Sequence, residues 1–250
     1  MNREKQPEVS VVIPAYNGAA FLAQAVESVY AQGVAVEVIV VDDASEDSTA
    51  AVAASFAERE GVIYIRNEQN LGVAASRNKG VQLAQAPYVA FLDADDWWGS
   101  GKLAHQIQLL EESQKVLCST GRELMNEDGS STGKRIGVKP VITYKELLKH
   151  NSINCSSVLI RTDVMRQFPM QHEDSHEDYI TWLRILRQHE PAVAINEPYL
   201  KYRLSQGGKS RNKVKSAQMT YRVYRYMGYS VPRCLCMLVS YMVHGVVKYL

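Results

Sequence analysis

The 250-residue sequence predicts an α/β protein, with a mostly parallel central sheet and helices on both faces. Three observations carry this. Short β-branched, apolar runs alternate with stretches of helical periodicity through the first part of the chain. Those runs are near-continuously apolar rather than apolar at every second position, the pattern of strands buried on both faces. They also end in polar clusters: Pro14-Ala15-Tyr16-Asn17, Asp42-Asp43 and Asp93-Ala94-Asp95-Asp96. In open parallel sheets, ligands gather at those carboxyl ends.

Val9 to Ile13 is a β-branched run closed by Pro14, which ends the strand. Asn17-Gly18 makes the turn, and Phe21 to Ala31 places Leu22, Val26, Val29 and Tyr30 at helical spacing. Val36 to Val41 is a second strand, after which Ser45 and Asp47 offer N-caps for a helix through Ala57. Val62 to Ile65 is a third, followed by the loop Asn67 to Gly72 and a helix from Val73 to Ala84. Tyr88 to Leu92 is the fourth, and it runs straight into three carboxylates within four positions. The second half predicts a helix at Lys102 to Ser113, a strand at Val116 to Thr120 and a turn-rich excursion at Glu127 to Gly133. A short helix at Tyr144 to Leu148, a strand at Ser156 to Ile160 and a short helix from Thr162-Asp163 follow. Glu177 to Gln188 is amphipathic, and two short strands come after it, Val193 to Ile195 and Tyr199 to Tyr202.

Clustered carboxylates repel one another, and burying one without a partner costs several kcal/mol, so the Asp93 cluster needs a cation or open water. Alone it reads more readily as a solvated turn with a helix cap. The coincidence of three such clusters at strand ends favours a site. Gly99-Ser100-Gly101-Lys102 lacks the first glycine of a P-loop and has Leu103 where a metal-holding Ser or Thr belongs. No Gly-x-Gly-x-x-Gly follows the first strand, no Gly-x-Ser-x-Gly elbow is present, and the six histidines form no His-Glu-x-x-His pair. What remains is a nucleotide diphosphate bound through a hard cation, Mn²⁺ or Mg²⁺, rather than through glycine amides.

At 46% hydrophobic residues the chain has enough for a packed core. Met1 to Glu8 is polar, with no signal peptide, and Cys118, Cys155, Cys234 and Cys236 lack zinc-site spacing. Reduced, structural thiols and a cytoplasmic setting are expected. The net charge of +1 hides an asymmetry: no acid follows Glu197, and the ten Lys and Arg after residue 200 leave −9 on residues 1–200. Cys234 to Leu250 is apolar and at the lower limit of length for a membrane span, and its interruptions at Ser240, His244 and Gly245 argue against one. With Arg222 and Arg225 beside Tyr221, Tyr224, Tyr226 and Tyr229, it reads either as a helix lying on an anionic membrane surface or as a helix pair packed on the body. The acidic body argues against nucleic acid.

Four ordered motifs carry a family resemblance. They are Val11-Val12-Ile13-Pro14-Ala15-Tyr16-Asn17, Val40-Val41-Asp42-Asp43-Ala44-Ser45, Asn70-Leu71-Gly72 through Ser76-Arg77-Asn78-Lys79-Gly80, and Phe91-Leu92-Asp93-Ala94-Asp95-Asp96. Further on, His176-Glu177-Asp178 through Arg184 resembles a Glu-Asp motif. Together, over residues 8–205, they resemble the inverting family 2 glycosyltransferases of GT-A fold. Asn151 to Ser157 and Ser210-Arg211-Asn212-Lys213 look most like the teichuronic acid-type enzymes of cell-surface polysaccharide assembly.

The resemblance implies a GT-A domain over 1–208, with a nucleotide-binding half at 1–100 and an acceptor-binding half at 101–208. Residues 209–250 form C-terminal helices. It implies that Pro14, Ala15, Tyr16 and Asn17 lie along the base and ribose of a UDP-sugar, and that Asp43 accepts from uracil N3–H. Arg77 lies near the nucleotide pocket, Asp93 with Ala94 holds ribose or sugar hydroxyls, and Asp95 binds the metal. Asp178 is the catalytic base with Glu177 beside it; His176 is a weaker rival. Arg203 and Lys209 are expected to face a pyrophosphate. Gly99-Ser100-Gly101 departs from the family, which usually has a proline there. The implied acceptor is a glycan, lipid-linked, at the inner face of the cell membrane. Two other classes compete: a sugar-nucleotide nucleotidyltransferase, against which the absence of a Gly-rich basic loop at Val11 to Asn17 speaks, and a non-catalytic nucleotide- or glycan-binding subunit.

Overall fold

The first half of the chain builds four parallel strands. A computed structural model describes residues 6–57, 59–189, 191–204 and 213–249. β1 (Val9–Ala15), α1 (Leu22–Tyr30), β2 (Val36–Asp42), α2 (Thr49–Ala54), β3 (Val62–Arg66), α3 (Val73–Leu83) and β4 (Tyr88–Phe91) alternate as predicted, with α2 ending short of Ala57. The strands lie in the order β3-β2-β1-β4, all parallel. Why the runs are almost continuously apolar is now visible. Val12, Ile39, Val41 and Phe91 enter one core with Trp182 and Leu183, while Val11, Ile13, Val38, Val40 and Leu92 enter the other with Val26 and Leu103. Both faces are covered, so both alternating sets are apolar except Ser10 and Glu37, which are buried with Ser10 Oγ donating to the Glu37 carboxylate. Helix α3 lies close on the sheet because Gly80 has no side chain: a Cβ there would sit 2.3 Å from Val12 Cγ1.

The second half extends this sheet to ten strands. It comprises β5 (Trp97–Trp98), α4 (Lys102–Ser113), β6 (Leu117–Met125), β7 (Ser131–Ile136), β8 (Val141–Ile142), α5 (Tyr144–Lys149), a 3₁₀ turn at Cys155–Ser157, β9 (Leu159–Arg161), α6 (Thr162–Met165), α7 (Glu177–Leu186) and β10 (Ala192–Arg203). β9 runs antiparallel between β4 and β6, and β10 returns parallel to β6. Two expectations change in detail. The excursion at Glu127 to Gly133 is the tip and return of a β6–β7 hairpin. The two strands after α7 are one strand, irregular between Ile195 and Leu200, where Pro198 cannot donate to a ladder.

α8 (Lys213–Tyr226) and α9 (Val231–Tyr249) close the described chain. Both pack on the body: Met219, Thr220, Val223, Tyr224, Met227 and Cys234 are buried. The Tyr224 hydroxyl donates to Leu148 O, and those of Tyr144 and Tyr229 meet at 2.8 Å. All four cysteines are free, three buried and Cys236 exposed. Among the described residues no helix is long and apolar enough to cross a membrane.

Candidate active site

The loops leaving β1 and β2 are stitched together before any ligand is considered. Ala15 pairs with Asp42 at the ends of the two strands, and Asp43 N–H donates to Ala15 O. Asn17, in a left-handed conformation (φ 49°), donates its N–H to Ser45 Oγ and accepts from Glu46 N–H through Oδ1. A short amide side chain tolerates that conformation better than most residues. Gly18 sits against Ala94, so the loop after β4 joins the same floor. Pro14 and Ala15 are buried in β1, and Tyr16 stands on the rim, 51% exposed.

The adjacent acids of β2 have divided tasks. Asp42 is buried, accepting from Ser45 N–H and the Tyr64 hydroxyl, which holds the turn. Asp43 Oδ1 accepts from Asn67 Nδ2 (2.7 Å) and Leu71 N–H (2.9 Å), and Oδ2 accepts from Gly72 N–H (2.7 Å). Lys79 Nζ donates to Asn67 Oδ1, which fixes the amide with its NH₂ toward Asp43. Each carboxylate oxygen can accept twice, so Oδ2 keeps capacity for one further donor.

Gly72 also opens α3 at φ 90°, and the Glu173 carboxylate lies directly over it, accepting from Ala74 N–H. An acid is favoured at a helix N-terminus, where amides lack intrahelical partners. One turn on, α3 presents Arg77. This guanidinium is buried; Nη2 lies 2.6 Å from Asp93 Oδ1 and Nη1 lies 3.1 Å from Glu177 Oε1. Burial pulls its pKa down, but Asp93 and then Cys155, Glu177 and Asp178 reverse this, so it stays charged. Arg77 thus joins the acid loop after β4 to the start of α7.

Asp178 has a different environment from its neighbour. Glu177 is buried and tied to Arg77, whereas Asp178 is half-buried and takes the Tyr179 N–H as its hydrogen-bond partner among the described residues. Burial first, then the Glu177 charge, raises its carboxyl pKa to about 6. That leaves an ionisable oxygen poised near neutrality, as a general base requires.

The three acids after β4 also separate. Asp93 is pinned by Arg77 and by its N–H to Ser156 Oγ. Asp96 is buried, accepting from Arg203 N–H, and burial followed by the Asp93 and Asp95 charges drives its pKa well up. Asp95 remains half-buried, with its backbone carbonyl accepting from Arg203 Nε. The sequence placed Arg203 toward a diphosphate, but its guanidinium is buried and committed to protein partners. It is buried between the Phe21 and Trp97 rings and donates to Asp95 O, Glu127 O and Gln24 Oε1, bracing the acid loop from beneath. Lys209, paired with it in that expectation, lies outside the described residues. Among the described residues no three His, Cys, Asp or Glu side chains converge as a self-sufficient metal site. One half-exposed carboxylate beside a pinned one fits a Mg²⁺- or Mn²⁺-type ion, which takes one or two carboxylates and completes its shell with water and substrate phosphate.

The residues that sequence reasoning missed lie far from their partners. In sequence Asn67 reads as the start of a loop and Ser156 as part of a strand and of the Asn151 to Ser157 segment, while Glu173 has no assignment, and Glu173 meets Ala74 across 99 positions. A left-handed Gly72 was the one local trace of that approach.

The fold is GT-A: the chain superposes on a crystal structure of S. aureus TarS 1-349 in complex with UDP-GlcNAc with a TM-score of 0.73, at 16% identity, covering 94% of this chain and 71% of that one. Residues 10–171 match the family model Glycosyl transferase family 2. The chain belongs to that family and is a glycosyltransferase. It is 37% identical over 224 residues, 88% of each chain, to a protein named putative teichuronic acid biosynthesis glycosyltransferase TuaG from Bacillus subtilis. It is 31% identical over 242 residues (96% of this chain, 95% of the relative) to a UDP-Glc:alpha-D-GlcNAc-diphosphoundecaprenol beta-1,3-glucosyltransferase, WfaP, from Escherichia coli.

Proposed function

We propose that this glycosyltransferase moves a sugar from a UDP-sugar to a hydroxyl of a lipid-linked glycan, with inversion at the anomeric carbon, in the assembly of a cell-surface polysaccharide at the inner face of the cell membrane. The single observation that carries the chemistry is the contrast between Glu177, tied to Arg77, and the adjacent Asp178, whose carboxylate forms no ion pair among the described residues and has a pKa raised to about 6. The names of the relatives support the donor and the acceptor class.

Donor binding falls to the loops after β1, β2 and β4. Pro14, Ala15, Tyr16 and Asn17 line the base and ribose, with Tyr16 exposed to stack. The remaining acceptor site on Asp43 takes uracil N3–H, which cytosine does not offer. Asp93, held by Arg77, and Ala94 face the ribose or sugar. Asp95 would hold a divalent ion. When bound, that ion would supply positive charge to stabilise the leaving diphosphate.

The reaction itself needs one base. Asp178 takes the proton from the acceptor hydroxyl as its oxygen bonds to the anomeric carbon, the bond from that carbon to UDP breaks, and the electron pair leaves on the diphosphate. One displacement inverts the configuration. Glu177 serves by fixing Arg77, and Arg77 by fixing Asp93.

A panel of UDP-sugars with Mn²⁺, scored for UDP release with and without lipid-linked acceptor, tests this. Acceptor-dependent release from one donor supports it. No manganese-dependent turnover of any UDP-sugar would remove the donor and metal assignments.

A further inference from the structure

Helix α9 is apolar on the side that faces away from the protein. Val231, Leu235, Val239 and Met242 are 46%, 53%, 57% and 47% exposed, and their spacing of four, four and three residues puts them in one row. The opposite side already has its partners: Cys234 is buried, and Tyr241 packs near His150 and Tyr179. A surface helix ordinarily turns polar residues outward. Here both sides are apolar, so the outer row serves something beyond the fold.

The charge around that row is of one sign. Arg225 and Arg233 lie at the α8–α9 corner, where Arg225 donates to Tyr229 O and Arg233 covers the Tyr229 ring. Both are exposed, and neither forms an ion pair with a carboxylate among the described residues. No Asp or Glu occurs after Glu197. A second copy of the chain would bring two such cationic edges together with no acid from this region to meet them. A bilayer with anionic headgroups supplies both an apolar depth for the row and counter-charges for its rim.

The position of the face relative to the site is also fixed. Arg222 on α8 donates to Asp174 O, the Tyr226 hydroxyl donates to Asp174 Oδ2, and the Tyr226 ring stacks on His172 at 3.7 Å. That loop leads directly into Glu177 and Asp178. α8, on which α9 packs, therefore adjoins the segment that carries Asp178.

We infer that the outer face of α9, with Arg225 and Arg233 at its rim, seats in the plane of an anionic lipid surface and so holds the site beside an acceptor anchored there. The benefit to catalysis rests on the lipid-linked acceptor proposed above; the surface itself does not.

Vesicle flotation of the full chain tests it, with phosphatidylcholine vesicles alone or containing phosphatidylglycerol. The chain floats with anionic vesicles and at least about tenfold less with neutral ones, and raising salt weakens it. The triple variant Leu235→Gln, Val239→Gln, Met242→Gln loses binding by about a hundredfold or more. The pair Arg225→Gln, Arg233→Gln loses about tenfold or more. All five side chains are exposed, and acceptor-free UDP release at the wild-type rate shows that each variant keeps its site. Undiminished flotation of the triple variant, or equal binding to neutral vesicles, overturns the inference. So does sedimentation showing a wild-type dimer that the triple variant lacks, which would assign the face to a second copy. Anionic binding without transfer to a lipid-linked acceptor would leave the surface standing and remove the acceptor assignment.

Discussion

Arg77 and Asp93 meet at 2.6 Å, a buried guanidinium on α3 against a carboxylate at the end of β4, although nothing between them in sequence marks the pair. The same guanidinium holds Glu177, so three elements are locked by one side chain. Removing it leaves two carboxylates facing each other without a cation.

Arg77→Met is therefore expected to destabilise the fold by roughly 3–5 kcal/mol, the usual cost of breaking a buried pair from one side. Adding Glu177→Gln to that variant should recover part of the loss, because one uncompensated charge is gone. Denaturant unfolding of the wild type and both variants reads this out.

Asp178→Asn is expected to lower transfer by about 10²–10⁴-fold while UDP affinity changes less than about twofold. The wild-type rate should fall below a pH of about 6, since the base acts ionised and its pKa is raised to about 6. Stability has the opposite sign. A carboxyl pKa raised on folding favours the protonated folded state, so stability falls as pH rises from the ordinary carboxylate range to about 6. The Asn variant should melt no lower than the wild type at pH 7. A thermal melt at pH 7 and a pH–rate profile together check both signs.

Lys102 gives a second pH signature, away from the chemistry. Its side chain is fully buried, with Nζ 2.7 Å from Gln106 Oε1 and 3.9 Å from the Trp98 ring centroid. Burial lowers its pKa to about 7. A depressed ammonium pKa means the unfolded chain binds the proton more tightly, so stability should rise between about pH 7 and 9. Lys102→Met should flatten that rise; melting curves at the two pH values would show it.

Gly80→Ala tests the seating of α3. The added Cβ would fall 2.3 Å from Val12 Cγ1, so either the helix or the strand must move. A loss of about 1–3 kcal/mol is expected, with partial recovery when Val12→Ala is added. Because α3 carries Arg77, UDP release should fall in the single variant beyond what its population of folded protein explains.

Tyr226→Phe with Arg222→Gln frees Asp174 from α8. The buried side of α8, through Val223 and Tyr224, is untouched, so the melting temperature should stay within a few degrees. The turnover rate should drop by about tenfold while UDP affinity holds, because the loop before Asp178 loses two of its anchors. Equal losses in both quantities would instead mark a general loosening of the fold.

Local chemistry wrote the elements themselves. The run Val9 to Ile13 is apolar but for Ser10 and reads as a strand covered on both faces, and α3 begins where Gly72 permits it. The acids at the strand ends were visible as well, because a carboxylate following an apolar run is costly to bury and so marks a surface with a purpose. The division of labour among those acids was not visible. Asp42 and Asp43 are equivalent in sequence, as are Glu177 and Asp178, and what separates each pair is a partner far along the chain: Tyr64 and Asn67 for one, Arg77 for the other. Arg203 shows the same limit in reverse. Its charge suggested a phosphate partner, and its neighbours Phe21, Gln24 and Trp97 turned it into a brace.

The sequence by itself determined the alternation of strands and helices, the depth of the sheet and the chemical types gathered at its carboxyl edge, since these follow from apolar periodicity and from where polar groups can remain solvated. Tertiary structure alone decided which carboxylate is pinned and which keeps a free oxygen, and which side of α9 looks outward. Those outcomes depend on contacts between residues as many as 107 positions apart, where no periodicity reaches.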